Sequence, residues 1–286
     1  MISSVLGVVT LTYLLAGLLF LVAAFSAPPR FQGAAGGFLW AGLAGQTLAI
    51  LGRWTQSYLG ALGPTPSPAL LEKIRLVVHQ APLSNFYESL VFFSWCMPFL
   101  GLVAFRRYLQ NYLGILVAWL ACLLLAYASL GVDSSIKPLM PALKSNWLLV
   151  HVVTCFLGYA AFGLGFGAGL LYLWQGRRYR SRLPDLPQLD RLIYQTTTVG
   201  FLFLTLGILT GAVWAETAWG RYWSWDPKET WSLITWFIYA TLLHARLVKG
   251  WKGRRTAWLA VAGFLAVLFT YLGVSFLLPG LHSYLT

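Results

Sequence analysis

Apolar residues fall in eight long runs, at roughly 4–25, 34–53, 84–105, 111–131, 146–175, 192–215, 231–248 and 256–278. Each run is near, or longer than, the roughly 20 residues that carry a helix across a bilayer. Inside the runs charge is almost absent, and the polar residues that punctuate them sit in the connections. The pattern predicts an all-α polytopic integral membrane protein of about eight transmembrane helices. An even number of spans puts both termini on one side. The first run has no basic stretch before it and exceeds a signal-peptide core, so it is expected to be retained. Between the second and third runs, residues 54–83 contain Pro64, Pro66 and Pro68, then a stretch from Leu70 to Gln80. There Leu71, Ile74, Val77 and Val78 keep helical spacing beside Glu72, Lys73 and Arg75. A short amphipathic helix lying on the membrane surface is the expectation. Neither an internal repeat nor a low-complexity linker interrupts the chain, so residues 1–286 read as a single membrane domain.

Composition sharpens this. Of the 286 residues, 58% are hydrophobic and 10% are charged, which excludes a soluble enzyme and a disordered or fibrous chain. The net charge of +12 would suggest nucleic-acid binding on a soluble chain, but here it follows topology. Thirteen Lys and Arg with two acids fall in the connections after spans one, three, five and seven; seven with six acids fall in the rest. All but one unit of the excess therefore lies on one side, which puts that side in the cytoplasm and both termini outside, on the periplasmic or lumenal face. Cys96, Cys122 and Cys155 lie inside apolar runs without paired spacing and read as packing residues.

Six of the fourteen tryptophans crowd into residues 214–236, an outer connection: Trp214, Trp219, Trp223, Trp225, Trp231 and Trp236. An interfacial aromatic belt would spread over many span ends. Concentration in one connection instead suggests a flat platform for a large planar ligand, with Arg221 and Lys228 available for its anionic substituents. A porphyrin with two propionates has that shape; Lys144, in the neighbouring outer connection, is another cation at the same face. Asp226, Pro227 and Glu229 also form a helix-start signature, so Asp226 and Glu229 are capping groups first.

Only four histidines occur. His151 lies about 7–8 Å below the outer end of span five, and His282 lies in the outer tail. Taken alone, His151 is as readily a packing residue as a ligand. Two imidazoles converging on one aromatic platform could hold a haem iron axially. His244 sits 13 residues into span seven, about 20 Å from its outer end, and is either an interfacial anchor or part of a second, deeper site. His79 ends the amphipathic stretch and is expected at the surface.

Residues 219–236, WGRYWSWDPKETWSLITW, resemble the tryptophan-rich WWD signature of haem-handling proteins, and most closely the CcsA (ResC) family of system II cytochrome c biogenesis. Residues 82–90, PLSNFYESL, are similar to that family's outer PLSNxYES segment. Residues 145–153, SNWLLVHVV, are similar to the segment bearing its first external histidine. The resemblance implies that His151 and His282 are axial ligands of haem b at the outer face, with Trp219, Trp223, Trp225, Asp226 and Arg221 around it. It implies that His244 is the membrane histidine of an inner site, completed by a CcsB (ResB) subunit. The implied function is haem transport across the membrane and presentation for covalent attachment to the CxxCH motif of apocytochrome c, kept reduced by thiol-reducing proteins of the outer side. The implied location is the bacterial plasma membrane or the thylakoid membrane. No residue reads as a general acid, base or nucleophile. A haem exporter or chaperone without synthase activity would need the same residues; a b-type electron-transfer protein is the other alternative, although such proteins usually pair histidines inside their spans at matching depths. On this topology, a phosphatase that folds only outside the cytoplasm is expected to be active when fused at the C-terminus and inactive when fused after Arg254. The reverse pattern would invert the orientation.

Overall fold

The computed structural model describes residues 2–26, 29–62, 70–108, 111–136, 145–175 and 184–281. Ten α-helices run through them: α1 (Ile2–Ser26), α2 (Pro29–Leu62), α3 (Leu70–His79), α4 (Phe86–Val103), α5 (Asn111–Gly131), α6 (Asn146–Gln175), α7 (Leu186–Trp219), α8 (Pro227–Lys249), α9 (Arg254–Leu268) and α10 (Val274–Leu277). A π-helical turn, Phe269–Gly273, joins the last two into one span. Among the described residues eight helices are long and apolar enough to cross a membrane, and no strand occurs. The observed α6 coincides with the expected 146–175, whereas α2 continues to Leu62 and α7 to Trp219. The end of the bundle bearing α3 is termed outer below, after the charge asymmetry.

On α3, Leu70, Ile74 and Val77 are exposed at i, i+4 and i+7 spacing, as a helix resting on a lipid surface requires. The Trp54 indole of α2 donates to the Val77 carbonyl (2.7 Å) and the Ser57 hydroxyl to Gln80 (2.7 Å), which holds α3 and its end against the outer part of α2.

Helix pairs in lipid gain little from hydrophobicity and associate through close packing and hydrogen bonds instead. The most extensive pair is α6 with α7. A Cβ on Gly158 would lie 3.1 Å from the Leu204 amide nitrogen and 3.2 Å from the Gly200 carbonyl, so glycine is what lets the two backbones touch. Polar hubs tie the remaining helices. Gln46, fully buried, accepts from the Tyr13 hydroxyl (2.8 Å) and donates to the Val91 carbonyl (2.9 Å) and Ser94 hydroxyl (2.6 Å), joining α1, α2 and α4.

At the opposite, inner end Asp190 of α7 receives both terminal nitrogens of Arg246 in α8 (3.0 and 2.7 Å). The same carboxylate accepts from the Gly253 amide (2.7 Å) and the Thr256 hydroxyl (3.2 Å), which fixes the start of α9. One acid therefore sets the inner register of three spans. Asp190→Ala leaves the Arg246 guanidinium without its bidentate partner and is expected to destabilise the protein by about 3–5 kcal/mol. Thermal unfolding in detergent checks this, and an unchanged midpoint would contradict it.

Candidate functional site

A cavity opens among the outer ends of α4, α6, α7 and α8 and the π turn, with about 1280 Å³ of empty space including its mouth. Its walls are mostly apolar and aromatic, which suits a hydrophobic ligand with few polar anchor points.

His151 projects into the cavity from α6. Its Nδ1 lies 2.7 Å from the Gly207 carbonyl oxygen of α7. A carbonyl only accepts, so Nδ1 carries the proton and Nε2 carries the lone pair. That is the arrangement of a metal-ligating imidazole oriented through its other nitrogen. The ring stacks on Trp214 (centroids 6.1 Å apart, planes 15° apart), and Trp219 meets Trp214 edge-on at 4.8 Å. Trp214 is only 2% exposed, so this pair forms a dry backing that holds the imidazole plane. Gly211 makes room for the ring: a Cβ there would lie 2.6 Å from Nδ1.

The Trp-rich segment expected as one loop over 214–236 is chiefly two helix ends. A left-handed Gly220 (φ 73°) closes α7, and α8 starts at Pro227, leaving a connection of residues 220–226. Asp226 caps α8 by accepting from the Lys228 amide (2.9 Å), and its backbone N–H donates to Glu229 (3.1 Å), completing the capping box. Glu229 also receives the Ser224 amide (2.8 Å). The second Asp226 oxygen accepts the Leu281 amide (2.6 Å), tying the C-terminal segment to the connection. Trp225 adopts φ 58°, uncommon for a bulky residue, and is 69% exposed. Trp223 meets it edge-on at 5.8 Å and itself lines the cavity. The buried Trp223 indole nitrogen has no hydrogen-bond partner among the described residues, a state that costs about 1–3 kcal/mol.

The facing wall comes from the 83–86 turn. Glu88 accepts the Ser84 amide and hydroxyl (both 2.9 Å) on one oxygen and Arg53 Nε (2.9 Å) on the other. Arg53 also donates to the Ser134 carbonyl (2.9 Å), bringing in the connection after α5. Ser84, Asn85, Phe86 and Ser89 thereby line the cavity. The π turn contributes Thr270 and Tyr271, the latter bonded through its hydroxyl to Ser89 (2.7 Å). Such single turns often mark functional sites because the extra residue re-aims side chains.

Of the expected site residues, the structure brings His151 and Trp223 into the cavity wall, with Trp219 behind them and Asp226 beneath the connection. Trp225 lies exposed beyond Trp223. Arg221 is exposed and does not line the cavity, while Lys228 does. His244 is exposed on α8, 17 residues or about 25 Å past Pro227, because the helix starts earlier than the apolar run suggested. His79 ends α3 and does not line the cavity. His282 and Lys144 lie outside the described residues. The wall residues Ser84, Asn85, Phe86, Tyr222, Thr270 and Tyr271 were not singled out from sequence; the 82–90 motif was the available signal for the first three.

Residues 83–282 match the family model described as cytochrome C assembly protein. Three proteins titled "Cytochrome c biogenesis protein CcsA" are similar to the chain. The Chlamydomonas reinhardtii protein is 46% identical over 213 residues, covering 71% of this chain and 60% of its own length. The Mesostigma viride protein is 42% identical over 259 residues, covering 79% and 85%. The Synechococcus sp. (strain RCC307) protein is 40% identical over 235 residues, covering 71% and 76%. The fold is similar to a solved structure titled "Cytochrome c Heme Lyase CcmF", with TM-score 0.70 and 20% identity over 94% of this chain and 46% of that one. Gly211→Ala forces the His151 ring off the Gly207 carbonyl. It is expected to lower stability by about 1–3 kcal/mol, read as a lowered unfolding midpoint in detergent, where wild-type stability would contradict the packing.

Proposed function

Because the chain belongs to the CcsA family of cytochrome c assembly proteins, we propose that it holds haem b in the outer cavity and presents it for attachment to apocytochrome c. The observation that carries the proposal is the His151 imidazole, its Nδ1 proton committed to Gly207, inside a large aromatic cavity. The residues suit the group: with the proton on Nδ1 the imidazole lone pair lies on Nε2, the nitrogen that would meet iron, and the mostly apolar and aromatic walls suit a macrocycle.

His151 supplies one axial nitrogen, and the Trp214–Trp219 pair keeps its plane fixed and excludes water. His282 supplies the other. Asp226 holds the amide of Leu281, the residue that precedes this histidine in the sequence. Tyr222 and Trp223 form the wall on the side of the Trp-rich connection. Haem supplies the vinyl groups to which the two thiols of a reduced CxxCH motif add, with thiol-reducing proteins of the outer side keeping that motif reduced. The chain's share is positioning, and none of its three cysteines is needed as a nucleophile. His244, on the exposed inner half of α8, belongs to a separate haem-entry site that a CcsB subunit completes. A b-type electron carrier pairs histidines inside its spans at matching depths, whereas His151 lies about 7–8 Å along α6 and His244 about 25 Å along α8 from their outer ends.

The test uses detergent-purified full-length protein with its CcsB partner. His151→Ala is expected to lose haem at least about 10–100-fold, the loss typical when only an outer partner of a metal-bound histidine is removed. Cytochrome c maturation falls with it, and added imidazole restores a six-coordinate spectrum. Unchanged haem retention together with unchanged maturation would overturn the assignment.

A further inference from the structure

The thiols of an acceptor arrive at the outer face, so the vinyl edge of a bound macrocycle has to face the cavity mouth. The propionates of protohaem leave from the opposite edge, which then points inward along α6. A carboxyl carried into the membrane interior is costly unless a donor meets it. His151, Cys155 and Tyr159 recur every four residues on one face of α6, and all three line the cavity. Tyr159 lies about 12 Å further along the helix than His151 and about 20 Å below its start, so the cavity reaches well into the bilayer.

On the cavity wall the hydroxyl protons are largely spent. Ser84 donates to Glu88, and Ser89, Ser232, Thr270 and Ser275 donate to main-chain carbonyls. Because the Ser89 proton goes to the Phe86 carbonyl, Tyr271 is the donor in its 2.7 Å bond with Ser89. Tyr222 is 61% exposed at the rim, and Lys228 and Glu229 line the wall further out, in the first turn of α8. Tyr159 differs from all of these. It is 8% exposed, packed edge-on against Phe93 (6.3 Å) and Phe156 (5.8 Å), and its hydroxyl has no hydrogen-bond partner among the described residues. The Tyr239 hydroxyl also lacks a partner but is sealed in protein, whereas that of Tyr159 opens on the cavity.

We propose that the Tyr159 hydroxyl is the inner anchor of the cavity: it donates to a propionate carboxyl, turning the propionate edge inward and the vinyl edge to the mouth. The proposal rests on the cavity being the haem site. One face of α6 then supplies both the nitrogen for the iron and the donor for the far edge of the ring.

The test compares protohaem with iron etioporphyrin, which keeps the ring and the iron but carries only alkyl groups. Each is titrated into the detergent-purified full chain and followed by absorption. Tyr159→Phe, which removes only the hydroxyl, is expected to weaken protohaem binding about 3–10-fold. Its affinity for iron etioporphyrin stays within about twofold of wild type, which also shows that the variant is folded. In the resonance Raman spectrum of the protohaem complex the propionate bending band shifts in Tyr159→Phe, while the bands that report axial ligation stay in place. Equal weakening of both porphyrins, or protohaem affinity and a propionate band that match wild type, overturns the anchor and leaves the haem site standing. A wild type that binds neither porphyrin overturns both.

Discussion

The Asp226 carboxylate is the constraint on which the outer face depends. A charged group inside an apolar protein is tolerable only if its acceptor positions are filled. Asp226 is 6% exposed and meets that condition with main-chain amides from two separate stretches, Lys228 in α8 and Leu281 near the C-terminus. Its own amide is held by Glu229. Three segments distant in sequence or direction therefore meet at one residue: the connection, the helix after it and the tail. The short connection from Gly220 to Asp226 is pinned at both ends, by a left-handed glycine and by this cap, and has little freedom in where it presents Tyr222 and Trp223. A Trp225 backbone in the left-handed region is the local consequence of closing so short a path.

The same device builds the other wall. In both places a glutamate at the third position of a helix reaches back to a serine that precedes the cap. Glu88 takes the Ser84 amide and hydroxyl while Asn85 caps α4; Glu229 takes the Ser224 amide and hydroxyl while Asp226 caps α8. What differs is the outward tether. Glu88 spends its second oxygen on Arg53, and through that guanidinium on the Ser134 carbonyl, whereas Asp226 supplies the tether on the α8 side. Two rigid helix starts face one another across the cavity, each fixed to a different part of the chain. Rigid helical termini of this kind hold a ligand geometry better than loops do.

Much of this could be read from the residues. The span at 146–175 was legible because its apolar run is bounded by Asn146 and a basic stretch, and the cap at Asp226 because Asp-Pro-x-Glu encodes a helix start locally. The amphipathic α3 followed from spacing alone. What escaped was set by tertiary contact. Arg53 and Glu88 are 35 residues apart, and nothing local to either announces the other. The continuation of α7 to Trp219 was hidden because Glu216 and the tryptophans look like a connection by composition, although their backbone stays helical until Gly220 permits a stop. The π turn has no sequence signature, yet it brings Thr270 and Tyr271 to the cavity. Charge placement misled at Arg221 for a similar reason: proximity in sequence to the tryptophans says nothing about which side of a seven-residue turn a side chain takes.

The two membrane histidines stand in opposite conditions, and the contrast defines what one chain accomplishes. His151, about 7–8 Å below the start of α6, has its ring stacked, its Nδ1 bonded and its surroundings closed by Trp214. His244 is exposed on α8 beside exposed Leu247 and Val248, with about 7.5 Å of helix remaining before Lys249. A polar side chain on the outside of a transmembrane helix is expensive unless something covers it or headgroups lie within reach. Nothing among the described residues encloses His244 in the way that α7 and Trp214 enclose His151. Around His151 the described residues supply the tautomer, the aromatic backing and the cavity wall from within the chain. Any site at His244 has to be closed by a surface that the chain does not contribute from its described residues.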